Sequence, residues 1–227
     1  MTATKERLPR ELIAMRVAAE LKGGEYVNLG IGIPNLVAEF TPPEKGVFYH
    51  AENGILGVGR NQEAGRIEVP DMTNAGGQPV LMLPGGWLMD SAQSFAIVRG
   101  GHLDVAVLGG LQVSEKGDLA NWNRPGRAVG SVGGAADIAA GARRVFVAME
   151  HTTRDGQAKI VRECTYPLTA VRVVSKIFTD IAVISVEADG LVLEEVAPGW
   201  TAAEVQAVTE ASLRVSPDLK EIELAGR

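Results

Sequence analysis

The chain has 227 residues, 46% of them apolar, and a formal charge of 22 − 28 = −6. That is enough apolar material for one substantial core, and with no basic run it makes nucleic acid and anionic membrane surfaces poor partner candidates. Cys164 stands alone, so no internal disulfide can form and a reducing cytoplasm fits.

The N-terminal stretch MTATKERLPREL is charged and lacks the apolar core of a secretory signal, and no apolar run approaches the length of a membrane span. Residues 9–22 read as an amphipathic helix. Pro9 suits its first turn, Leu12, Ile13, Val17 and Leu21 share a face, and Gly23-Gly24 stop it. Tyr26 to Leu29 is a short strand. The glycine corner that follows, Gly30-Ile31-Gly32-Ile33-Pro34, lacks the third glycine of a dinucleotide fingerprint, because Asn35 stands there. It reads instead as a strand-to-helix turn whose free amides, Gly32 included, face a ligand, with a helix over 34–40.

The stretch YHAENGILG, residues 49–57, organises the rest. The apolar run 47–50 reads as a buried strand that ends in a carboxylate, Glu52, and Asn53-Gly54 turn the backbone into a second apolar run. Open α/β sheets place ligand chemistry at such strand ends. Glu52 is therefore the candidate reactive group, with Asn53 beside it as a candidate binding position.

Residues 60–79 are polar and read as loop. Residues 80–83 form a buried strand closed by Pro84-Gly85-Gly86, and 90–98 a helix capped by Asp90 or Ser91. The next strand is 104–108. The segment 116–135 reads as loop and leads through Gly130-Ser131-Val132-Gly133-Gly134-Ala135 into a helix over 136–142. Amides at that helix start are placed to hold an anion or a developing oxyanion. The loop is neither a Walker loop nor a nucleophile elbow, since Val129 replaces the first glycine of the latter. Strands follow at 144–149, 171–174 and 181–187. Residues 191–196 pair with the last of these through the turn 188–190, and a capping box at Thr201 and Glu204 opens a helix over 201–211.

This alternation predicts one α/β domain over 1–227, an open, largely parallel sheet with helices on both faces and room for a later antiparallel edge. His50 and Glu52 fall on one face of a strand, a spacing that suits a metal. No third ligand stands near, so His50 reads as structural and no metal is expected. Nothing in the spacing makes Ser131 part of a triad. Trp87, Trp122 and Trp200 read as core or interface residues.

At YHAENGILG, with Val27-Asn28-Leu29-Gly30-Ile31-Gly32-Ile33-Pro34 before it, the chain resembles the beta subunit of class I CoA-transferases acting on 3-oxo acids. The similarity continues through Arg99-Gly100-Gly101-His102, Lys116 to Trp122, Gly133 to Asp137 and Cys164 to Thr169, and so covers nearly the whole chain. The resemblance implies an open α/β fold and a catalytic glutamate at Glu52. It also implies oxyanion or CoA contacts from the amides of Gly134 and Ala135, and an alpha subunit completing the enzyme, as a heterotetramer. It further implies ping-pong transfer of CoA, with succinyl-CoA as donor, through an anhydride and a glutamyl-CoA thioester. CoA is then a substrate, and no cofactor is required. Three departures from the family pattern stand out: Ala51 for its serine, Gly77 for its lysine, and Gly86-Trp87 for its Ala-Ser. Two other readings use the same site: an acyl-CoA hydrolase with water as acceptor, and a non-catalytic subunit that binds a small acid or CoA.

Overall fold

The computed structural model describes residues 5–61, 71–126 and 130–223, with backbone only at 60 and 61. Helix α1, Arg10–Glu20, leads into strand β1, Tyr26–Leu29, and the short helix α2, Ile33–Leu36. A 3-10 turn over Val37–Phe40 continues α2, so the expected helix is present but tightens after one turn. Strands β2, Phe48–Ala51, β3, Ile55–Asn61, and β4, Val80–Leu88, precede helix α3, Ser91–Arg99. Then come β5, Val105–Leu108, β6, Gln112–Ser114, β7, Leu119–Ala120, helix α4, Ala135–Gly141, and β8, Arg144–Ala148. The remainder is β9, Ile160–Val161, β10, Val174–Phe178, β11, Ala182–Glu187, β12, Gly190–Val196, helix α5, Ala202–Ala207, and β13, Leu213–Glu221.

Ten strands form one sheet in the order β13-β12-β11-β10-β8-β5-β1-β2-β3-β4. Its centre, β10-β8-β5-β1-β2, is parallel throughout. Both wings turn antiparallel, through β3 and β4 on one side and β11 and β12 on the other, and β13 closes the far edge parallel to β12. The central strands are short and largely apolar, as burial on both faces requires. In β5, Val105 and Val107 point into one core with Ile13 and Val17 of α1, while Ala106 and Leu108 point into another with Val98 of α3 and Ile138 of α4. The sheet is thus covered on both faces.

Several boundaries differ from the sequence reading. β4 does not stop at Pro84 but runs on to Leu88, because it is an edge strand where a missing N–H costs no ladder bond. Gly57 and Gly86 let it approach β3 closely: a Cβ on Gly57 would lie 3.0 Å from the Gly86 Cα. Between Leu111 and Thr169 the chain builds a second, three-stranded sheet, β7-β6-β9, out of segments too short to show a period. The strand expected at 171–174 lies instead at Val174–Phe178, and β13, which carries Pro217 at its middle, has no counterpart in the sequence reading. Of the polar stretch 60–79, residues 62–70 lie outside the described residues.

Candidate active site

Three parallel strands, β1, β2 and β5, end side by side, and Glu52 is the first residue beyond β2. Asn28 of β1 pairs in register with His50 of β2, so their side chains share the sheet face covered by α3 and α4. Alternation puts Glu52 on that face too. Asn28 is wholly buried, and its Nδ2 donates to Glu52 Oε2 at 3.1 Å and lies 3.2 Å from both the His50 Nδ1 and the His50 carbonyl oxygen. His50 Nε2 in turn lies 2.9 Å from Ser94 Oγ of α3. Burial pushes the His50 ring down to about pKa 4, so it is neutral near pH 7.

The loop that follows Glu52 is tightly held. Gly54 has φ +124°, and a Cβ there would collide with the Met89 carbonyl oxygen. Asn53, named above as a binding position, spends its Nδ2 on the Thr73 carbonyl at 2.8 Å, and its side chain anchors the loop.

Glu52 opens into a cleft of about 540 Å³, shared with Asn28, Leu108, Trp122, Val132 and Gly134. Of the glycine corner after β1, Gly30 and Ile31 line this cleft. Gly32, at φ +94°, serves as the N-cap of α2 and is not among the lining residues. Gly134 and Ala135 both line it. The Ala135 N–H is already bonded to the Val132 carbonyl at 3.1 Å, however, and the Gly133 N–H to Ser131 Oγ at 3.2 Å. Among the described residues neither the Val132 N–H nor the Gly134 N–H has an acceptor, so both are available donors of this turn. Gly134 is small for a packing reason as well, since a Cβ there would lie 2.7 Å from the Phe95 ring.

Other candidate groups are engaged elsewhere. Among the described residues no cluster of His, Cys, Asp and Glu has a metal-ligating arrangement. His151 is buried between Thr179 and Thr209, and His102 lies beside Asp104 in a separate cavity. Burial pushes the Cys164 thiol up to about 11, which leaves it a poor nucleophile. A larger cavity of about 810 Å³, at the amino end of β10, is lined by opposing charges that already pair, as Arg214 does with Glu187 and Asp189.

Coenzyme A transferase is the family whose model matches this chain, over residues 10–208. The beta subunit of the Escherichia coli acetate CoA-transferase is 49% identical over 92% of this chain and 95% of its own length. A 3-oxoadipate CoA-transferase subunit of Pseudomonas putida is 52% identical over 86% of this chain and 91% of its own. The chain belongs to the coenzyme A transferase family. A solved acyl-CoA transferase from Escherichia coli shares the fold, with a TM-score of 0.74 at 22% identity over 98% of this chain. This chain spans 44% of that one. Within this coenzyme A transferase chain the sequence departures are scattered. Trp87 is half exposed on β4, opposite Leu56 and outside the lining of the Glu52 cleft, whereas Trp122, read above as a core or interface residue, forms part of its wall. Sequence spacing alone does not single out Asn28 or Ser94. The signal for Asn28 was a polar residue inside the buried strand Val27-Asn28-Leu29, directly before a glycine corner.

Proposed function

We propose that this chain is the glutamate-bearing subunit of an enzyme that moves coenzyme A from an acyl-CoA to a short carboxylic acid of the 3-oxo class. The observation that carries the reading is Glu52, held at one oxygen by Asn28 at the mouth of the cleft that Gly134 lines. The other oxygen attacks the thioester carbonyl of the donor. The C–S bond breaks, CoA thiolate leaves, and an acyl-glutamyl anhydride remains. The thiolate then attacks the glutamyl carbonyl, the anhydride C–O bond breaks, and the first acid departs as its carboxylate, leaving a glutamyl-CoA thioester. A second carboxylate runs the sequence in reverse. Each addition creates a tetrahedral oxyanion, for which the Gly134 N–H is one available donor of its turn; one such donor is typically worth about 3 kcal/mol. Apolar walls from Leu108, Trp122 and Val132 suit a short acyl chain. Relatives that are themselves named as single subunits of CoA-transferases support an alpha subunit as partner, and the assembly proposed for the pair is a heterotetramer.

The test is a trapping experiment with the reconstituted pair, succinyl-CoA as donor and no acceptor. Borohydride reduces a thioester but not a free carboxylate, so treated enzyme is expected to lose activity permanently and to carry the modification at Glu52. Glu52→Gln is expected to lose roughly three orders of magnitude or more in kcat while staying folded. Transfer at the parent rate by Glu52→Gln, or reduction of a different residue, overturns the assignment. Steady CoA release without acceptor would mark a hydrolase instead.

A further inference from the structure

Asn28 has more acceptors than protons to give. Its amide carries two N–H bonds, yet His50 Nδ1, the His50 carbonyl and Glu52 Oε2 all lie within 3.2 Å of Nδ2. Its Oδ1, meanwhile, is buried with no partner among the described residues. An orphaned buried carbonyl costs about 1–3 kcal/mol, so the amide would gain by turning over if anything opposite could donate to Oδ1. The turned amide would aim that oxygen at the Glu52 carboxylate and take away its donor.

The group that decides between the two orientations is His50. With the ring proton on Nε2, Nδ1 is an acceptor and favours the amide as it stands. With the proton on Nδ1, two N–H groups would oppose each other at 3.2 Å, and the contact that now favours this orientation of the amide would push against it. Ser94 Oγ, 2.9 Å from Nε2, is placed to accept the Nε2 proton. We infer that His50, fixed as its Nε2–H tautomer by Ser94, is a positioning residue that sets the Asn28 amide and through it the Glu52 carboxylate. The consequence is that Oε2 is pinned and Oε1 is the attacking oxygen. All four side chains stand on one sheet face, from β1, β2, the loop after β2, and α3. This inference rests on Glu52 being the nucleophile.

The test has an arm that needs no turnover. Imidazole 15N spectra of the full chain near pH 7 are expected to show His50 as the Nε2–H tautomer, with that preference weakened in Ser94→Ala; an Nδ1–H tautomer in the parent overturns the inference. The kinetic arm uses the reconstituted pair. A shift of the carboxylate by a fraction of an ångström is expected to lower kcat roughly 10–100-fold in His50→Leu with KM for the acyl-CoA little changed. His50→Gln, which offers a donor and an acceptor on one amide, is expected to recover most of that loss. Ser94→Ala, a smaller change, is expected to fold and to lower kcat several-fold. Parent-like kcat in His50→Leu or Ser94→Ala overturns the inference, as does His50→Gln falling as far as a folded His50→Leu. A fully active Glu52→Gln would overturn the nucleophile itself. An inactive Glu52→Gln together with an Nδ1–H ring would overturn only the positioning role.

Discussion

His50 and His151 are both folded away as neutral rings, one behind Glu52 and the other between Thr179 and Thr209. Burial lowers each to about pKa 4, against 6.5 for a free ring. Between those values the unfolded chain binds protons that the folded chain refuses, so stability rises with pH across this window. The contribution is fully present above about pH 6.5 and is lost as pH falls towards 4, on the order of 3 kcal/mol per ring. Urea midpoints measured from pH 7.5 down to 4.5 are expected to fall steeply, and His151→Gln is expected to flatten that slope while lowering stability at neutral pH. An unchanged slope would mean that His151 does not set it. The sequence placed His50 and Glu52 on one face, and a period of two was sufficient for that. It could not supply Asn28 as the group joining them, because strand partners 22 residues apart carry no local signal.

At the scale of elements, α1 is fastened to the far wing of the sheet by a charge pair. Arg16 bonds both carboxylate oxygens of Glu195 on β12, at 2.8 and 2.9 Å, and its guanidinium lies over the Phe178 ring. The Glu195 side chain is only 5% exposed, and its other cation, Lys220, is 3.8 Å away on an exposed side chain. Removing Arg16 leaves a nearly buried carboxylate with a weak partner. Arg16→Ala is therefore expected to cost about 3 kcal/mol in a urea unfolding curve, and Glu195→Gln in the same background to recover part of it. A loss under about 1 kcal/mol would show the pair to be an ordinary surface contact. Helix α3 has a second function beyond covering the sheet. Asp90 Oδ1 caps it through the Gln93 N–H at 2.8 Å, and the helix carries Ser94 and Phe95 to the site. Its cap was legible as one of two neighbouring residues, because capping chemistry is local.

At the scale of the molecule, large apolar side chains stand exposed around the site and along the β4 edge. Ile31 beside the cleft is 72% exposed, and Trp87 and Leu88 are each at least half exposed. Single exposed residues are ordinary, yet here they accompany a cleft that this chain leaves open and relatives named as subunits. The isolated chain is expected to show little transferase activity with succinyl-CoA and a 3-oxo acid, and to regain it on addition of an alpha subunit. Full activity from the chain alone would remove the need for a partner. Among the described residues no helix is long and apolar enough to cross a membrane.

What the sequence determined by itself was whatever depends on near neighbours. The helix stripe of α1, the glycine turns, the capping box at Thr201 and a carboxylate at a strand end all follow from periods and spacings of a few residues. Tertiary structure decided the order of the ten strands, the second small sheet and the passage of β4 through Pro84, because each depends on which distant segment supplies the hydrogen bonds. It also decided the site. Glu52 lies beside Asn28 and His50 only because crossover connections bring β1 and β2 into register, and His50 meets Ser94 only because α3 packs over that face. A carboxylate can be read from a chain, but its hydrogen-bond partners are fixed by the packing of elements that the sequence keeps apart.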